Sequence, residues 1–280
     1  NKIQPTALPN GFVPVDIDVT PMDNSKSQKE GVSRTYKGFD GYAPMMAYIG
    51  TEGYAINFEL REGKQHCQNG TVEFLQETIR LCKKLTDQPL LVRLDSGNDS
   101  IDNVAVLIDA GCYFIIKRNL RRESKDGWFD MAKQYCKNIT TPRDGKTVYV
   151  GSDWKVVCSK QFEKEFTLRA GYEITERTVD KYGQILLIPE IEVETWWTNL
   201  GATDEEIIQL YHAHGECEQF HSEIKTDMDL ERLPSGKFAT NALVLELGLI
   251  AYNILRMIGQ GTIGGRAPYS FFTRNYLTSR

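Results

Sequence analysis

The stretch FVPVDIDVT, residues 12–20, alternates apolar and polar positions and contains three valines and an isoleucine. A pleated strand sends successive side chains to opposite faces, so this spacing predicts a half-buried β-strand with Asp16 and Asp18 on the same face. Moving outward, residues 42–50 and 54–61 (YAINFELR) read as two more strands, joined by the Gly-containing turn Gly50-Thr51-Glu52-Gly53. Residues 69–85 then place Val72, Leu75, Ile79, Leu81, Cys82 and Leu85 at an approximately helical spacing, with Asn69-Gly70-Thr71 as capping candidates. The apolar run PLLVRLD, residues 89–95, is a strand ending in an acid. Residues 101–110 form a helix stopped by Gly111, and CYFIIK, residues 112–117, forms a fifth strand. The order is βββαβαβ.

Composition sets the outer bounds. The 280 residues are 41% apolar and carry 33 Lys+Arg against 38 Asp+Glu, a formal charge of −5. That is ordinary globular material, with neither the bias of disorder nor a collagen-like repeat. A slightly acidic chain is no whole-surface polyanion binder, so positive charge has to be sought locally. The six cysteines are scattered without a C-x-x-C pair, which fits a reducing cytoplasm. The most apolar window, residues 241–259, holds Glu246, Asn253 and Arg256, and reads as an amphipathic helix rather than a membrane span. Because the chain opens on Asn1 and its last residues show no closing cap, the expectation is a fragment of a longer protein.

Residues 118–200 change character, with β-branched and aromatic runs at 146–150, 165–169, 172–178 and 185–197 separated by Gly-containing turns. Helical periodicity is weak there, and the stretch reads as a β-rich insertion. Thr203 then caps a long helical pattern to about Thr226, with Glu205 and Glu206 in its first turn. A further helix, residues 239–258, follows the Pro234-Ser235-Gly236 break. The organisation expected is a core over 1–118, an insertion over 119–200 and the rest of the core over 201–280. There is no internal repeat.

This layout resembles a ribonuclease-H-like α/β fold, a mixed sheet flanked by helices with a β-rich insertion before the last catalytic helix. In such folds the ends of the first and fourth strands lie side by side and the late helix crosses beside them. Asp18, Asp95 and Glu218 are then the acids that converge. Asp16 is the alternative to Asp18, and Glu216 and Glu223 are alternatives to Glu218. Oxygen ligands of this kind suit Mg²⁺, and two such ions serve in-line phosphoryl displacement. On one continuous helix Tyr211, His214, Glu218, Ser222 and Lys225 would share a stripe, and Cys217, Phe220 and Ile224 would form a separate apolar one.

At that stripe the sequence resembles the DDE transposases of bacterial insertion sequences, whose broad signature is Tyr, two residues, Arg, three residues, Glu, six residues, Lys. Tyr211, His214, Glu218 and Lys225 fall at those spacings. Asp18-Val19-Thr20 is similar to the first-acid motif and Arg93-Leu94-Asp95-Ser96-Gly97 to the second. The blocks VDIDVTPMDNSKSQKEGVSRTYKGFDGYAP, ELREGKQH and HSEIKTDMDLERLPSGKFATNALVLELG resemble the insertion-sequence-1380 family. The resemblance implies a catalytic, metal-binding triad of Asp18, Asp95 and Glu218 that uses two Mg²⁺ ions, with Mn²⁺ able to substitute. It implies phosphate contacts from Tyr211 and Lys225, with His214 standing where the signature has Arg. It further implies cleavage at transposon ends, transfer of the exposed 3′-hydroxyl into target DNA, and a homodimer holding two double-stranded ends, with no membrane partner.

The run KRNLRRESK, residues 117–125, carries five positive charges against one negative, and Lys117, Arg118, Arg121 and Arg122 are candidate DNA contacts. In related enzymes a Trp of the insertion stacks on an unpaired base, which makes Trp128, Trp154, Trp196 and Trp197 candidates. Two other classes are weighed: a DNA-binding remnant without catalysis, and a carboxylate-pair glycosidase with Trp196-Trp197 as a sugar platform. The histidines 212, 214 and 221 beside Cys217 raise a zinc reading, in which His214, Cys217 and His221 approach one ion and His212 points elsewhere. No paired cysteines complete such a site.

Overall fold

The computed structural model describes residues 3–263. In chain order the first elements are β1 (Val13–Val19), β2 (Met22–Asp23), β3 (Ser33–Arg34), β4 (Asp40–Tyr42), β5 (Met45–Ile49), β6 (Tyr54–Glu59), α1 (Thr71–Cys82) and β7 (Leu90–Leu94). Next come α2 (Ile101–Asp109), β8 (Tyr113–Lys117), α3 (Lys125–Tyr135), β9 (Asn138–Arg143), β10 (Lys146–Ser159), β11 (Lys164–Val179) and β12 (Ile185–Thr198). The chain continues through α4 (Asp204–His212), α5 (Glu216–Ser222) and α6 (Phe238–Ile263). It divides into two compact units, residues 1–93 with 214–280, and residues 94–213.

In the first unit the strands neighbour one another in the order β6-β5-β1-β7. β1 and β5 run antiparallel with Asp16 opposite Tyr48 and Asp18 opposite Met46, and β5 pairs antiparallel with β6. This is the meander the alternating pattern predicts. β1 and β5 are nearly all buried, because helices pack on the sheet. Met46, Tyr48, Cys217, Phe220, Ile224, Leu245, Leu249 and Tyr252 form one apolar cluster that joins β5 to the late helices. Fully burying each such side chain contributes roughly 1.5–3 kcal/mol. Residues 20–42 add a small three-stranded sheet, β2-β4-β3, that the sequence pattern does not foreshadow.

The helix α6 is long and apolar enough to cross a membrane by length and composition alone. Two of its polar side chains, Asn253 and Arg256, bind within the first unit. Asn253 takes the N–H of Ala55 at 2.9 Å and donates to its carbonyl at 2.8 Å, satisfying the backbone of the outer strand β6. Arg256 is buried against Glu223 and stacks 4.6 Å from the rings of Phe220 and Tyr252.

In the second unit β8, β12, β11, β10 and β9 are successive antiparallel neighbours. The two runs expected at 165–169 and 172–178 are one strand, β11. Ala170 and Gly171 lie within it in register with Trp197 and Trp196, so the glycine there makes no turn. The expectation of weak helicity at the head of the insertion is corrected by α3. The Ser124 side chain accepts the Gly127 N–H at its start, and Trp128, Phe129 and Ala132 are buried. Thr203 caps α4 as expected and closes a capping box with Glu206, and the Ser100 side chain caps α2.

Candidate catalytic and metal centre

Arg93 interrupts the otherwise apolar strand β7, and a buried guanidinium requires a partner. It finds Asp16 on β1, with Nε at 2.6 Å from Oδ1 and Nη2 at 2.7 Å from Oδ2. His214 Nδ1 lies 2.8 Å from Oδ1 as well. All three side chains are buried. Burial alone would raise the Asp16 carboxyl, but the Arg93 charge and hydrogen bonds from His214 and Arg93 outweigh it and hold it below the usual carboxylate range. Both Asp16 oxygens are thus committed to protein groups. That separates Asp16 from Asp18, which the spacing alone left as alternatives.

Asp18 is only half-buried. Its Oδ1 accepts the N–H of Val19 at 2.7 Å, and Oδ2 stands 3.5 Å from His221 Nε2. One ligand atom each from Asp18, Cys217 and His221 lie within 4.8 Å of one another. His221 is buried, its Nδ1 2.9 Å from the hydroxyl of Tyr48, while Nε2 has no hydrogen-bond partner among the described residues. Burial pushes the Cys217 thiol well up, and the nearby Asp18 and Asp16 charges add to it. The group foreseen for zinc in the sequence, His214 with Cys217 and His221, is therefore replaced by one in which Asp18 stands for His214. His214 Nε2 remains 4.0 Å from Cys217 Sγ.

Glu218 sits in the first turn of α5 with its side chain exposed, and it is no member of that group. Asp95 follows β7 at the head of the second unit, half-buried, and accepts Asn98 Nδ2 at 2.8 Å.

The single late helix expected over 203–226 is corrected. The chain passes from α4 through a 3₁₀ turn (Ala213–Gly215) into α5 and then a π-helical turn (Glu223–Asp227), closed by Met228 N–H to the Glu223 carbonyl at 3.0 Å. A 3₁₀ turn has 3.0 residues per turn and a π turn is wider than α, so a 3.6-residue spacing does not keep one face through them. His214 is accordingly buried on Asp16, a correction to its reading as a DNA contact. Glu218 and Ser222 are exposed, and Lys225 is half-buried with Nζ 3.3 Å from the Pro21 carbonyl. Tyr211, in the second unit, tilts against Trp196 with ring centroids 5.6 Å apart.

The basic run is likewise divided. Lys117 pairs with Glu194. Arg118 is buried, bound to Glu123, with its guanidinium 4.1 Å over Trp197 and 5.5 Å over Trp128, so its reading as a phosphate contact is corrected. Arg121 and Arg122 are exposed and line a groove of about 480 Å³ with Asp99, Asn119 and Trp197. Arg121 donates to the Asp99 carbonyl at 2.6 Å. Of the tryptophans, Trp154 is exposed while Trp128, Trp196 and Trp197 are buried. Trp196 and Trp197 therefore offer no sugar platform.

A mixed α/β architecture, with acids on and just beyond its inner strands and a broken helix returning beside the first of them, is a fold of the ribonuclease-H-like type. The model of the family described as transposase DDE domain group 1 matches residues 7–265, and the chain belongs to that family. Among solved structures it is similar to piggyBac transposase, determined by cryo-electron microscopy as a synaptic complex with hairpin DNA. The identity is 13% and the TM-score 0.50, over 97% of this chain. The chain spans about half of that one, 52%. No curated protein sequence matches it.

Proposed function

We propose that this chain is the catalytic part of a transposase of the insertion-sequence-1380 kind, cleaving DNA at transposon ends and joining the 3′-hydroxyls to target DNA. The observation that carries the reading is the family match over residues 7–265, which spans all three acids in question. Asp18, Asp95 and Glu218 are the residues that would hold divalent ions, Mg²⁺ or Mn²⁺. Their donor chemistry fits: all are carboxylates with exposed or half-exposed positions, whereas the rival Asp16 is closed off by Arg93 and His214. Such ions supply charge neutralisation at the attacking and leaving oxygens of a phosphodiester.

The chain's own residues supply position. The Asp16–Arg93–His214 clamp ties β1 to β7 and to the start of the late helix, and Asp18 lies two residues along β1 from it. Lys225 and Tyr211 are proposed phosphate contacts, and Arg121 and Arg122 provide an exposed cationic edge for the duplex. Trp154 is the proposed base-stacking tryptophan, and the partners are two DNA ends held by a homodimer.

The test is cleavage of a labelled transposon-end duplex in Mg²⁺. Asp18→Asn, Asp95→Asn and Glu218→Gln should each lower the rate by roughly 10²–10³-fold or more, the scale of losing one preorganised charge-stabilising group. DNA affinity should stay within a few-fold, by fluorescence anisotropy. Full activity in any one variant removes that acid from the triad. DNA binding with no metal-dependent cutting in the unaltered chain would instead mark a remnant that has lost catalysis.

A further inference from the structure

The site formed by Asp18, Cys217 and His221 has a chemistry that the triad of acids does not account for. His221 Nε2 is buried and makes no hydrogen bond among the described residues, and it faces Asp18 Oδ2 at 3.5 Å. The Tyr48 hydroxyl lies 2.9 Å from Nδ1 and 3.3 Å from Met46 Sδ; in the tautomer whose Nδ1–H donates to that hydroxyl, the hydroxyl turns its own proton to the sulfur. In that tautomer the lone pair is on Nε2. An imidazole acceptor and a carboxylate oxygen then face each other with no proton between them, an arrangement that a cation relieves. An outer-ring N–H held by a hydrogen-bond acceptor is also the usual support of a metal-bound histidine.

The dimensions agree. A tetrahedral ion with bonds of about 2.0–2.1 Å to nitrogen and oxygen sets those two atoms roughly 3.3 Å apart. Cys217 Sγ completes a triangle in which no edge exceeds 4.8 Å.

We propose that Asp18, Cys217 and His221 form a transition-metal site of the zinc class, with one oxygen, one sulfur and one nitrogen ligand and an open fourth position. As the S–Zn bond forms, the Cys217 proton leaves to solvent. A thiolate and an imidazole select a softer ion than Mg²⁺, so this site is distinct from the all-carboxylate set while sharing Asp18 with it. Resting on the reading of Asp18 as a catalytic ligand, an ion held here takes that oxygen away from Mg²⁺.

The test needs no DNA, so its failure is distinct from failure of the transposase reading. Titration of the metal-free chain with Co²⁺ should give a near-ultraviolet thiolate-to-cobalt charge-transfer band and the visible bands of a four-coordinate ion, saturating at one equivalent. Zn²⁺ should displace them. Cys217→Ser should abolish the charge-transfer band, while Cys158→Ser, at an exposed cysteine of the second unit, should keep it. His221→Gln and Asp18→Asn should each weaken cobalt binding by at least roughly tenfold, which decides the matter should Cys217→Ser fail to fold by circular dichroism. No charge-transfer band in the unaltered chain, a band that survives Cys217→Ser, or unchanged affinity in both His221→Gln and Asp18→Asn would overturn the site.

Discussion

Asp16 shows how much one buried carboxylate can organise. Its two oxygens take three close contacts from Arg93 and His214, so Asp16→Asn leaves a buried guanidinium without its counter-charge. Breaking a buried pair in this way typically costs about 3–5 kcal/mol. We expect that loss in denaturant midpoints followed by circular dichroism. The pH dependence has a definite sign. The folded carboxyl is held below its unfolded value, so its contribution is complete above the unfolded value, about 3.9, and is lost as pH falls through the folded one. The stability difference between the wild type and Asp16→Asn should hold near neutrality and shrink in acid. A difference that grows in acid would contradict the clamp. This much was half legible in the sequence: Asp16 and Asp18 were left as alternatives on one face, and only the folded structure, which sets Arg93 on Asp16, chooses.

Among the elements, the late helix departs furthest from its sequence pattern. Thr203 and Glu206 start it where expected, yet the continuous stripe from Tyr211 to Lys225 fails because a 3₁₀ turn and a π turn rephase the chain. Local spacing could not show this, since the turns accompany tertiary partners: His214 reaches Asp16, and Glu223 reaches Arg256 on α6. Gly53 tests the packing of α5 against the sheet. It has φ of 68°, and a Cβ there would lie 2.2 Å from Phe220 Cζ. Gly53→Ala combines left-handed strain with overpacking and should cost about 1–3 kcal/mol in urea or thermal unfolding. A neutral result would mean that Phe220 moves freely, contrary to its place in the apolar cluster.

For the molecule as a whole, net charge is a poor guide to what it can bind. The formal −5 conceals the run at 117–125, and the structure then divides that run by accessibility. Arg122→Ala should weaken binding to any duplex and lower the salt slope of log affinity by about one, as for a single lost phosphate contact. Arg118→Ala should instead lower the stability of the second unit, because its guanidinium lies over Trp197 and Trp128. Anisotropy against salt concentration, alongside melting curves, separates the two. Equal salt slopes for wild type and Arg122→Ala would remove the loop from the DNA track.

The sequence by itself determined the order of strands and helices in the core, the capped start of α4, and the family, because alternation, helical periodicity and long blocks of text are local properties of the chain. Tertiary structure decided which of two neighbouring acids is sealed by Arg93, which basic side chains remain in water, and that Cys217 and His221 stand beside Asp18. Those outcomes depend on distances between residues far apart in the chain. They are set by burial, which penalises an enclosed charge that has no partner, and no spacing along one strand or helix encodes that partner.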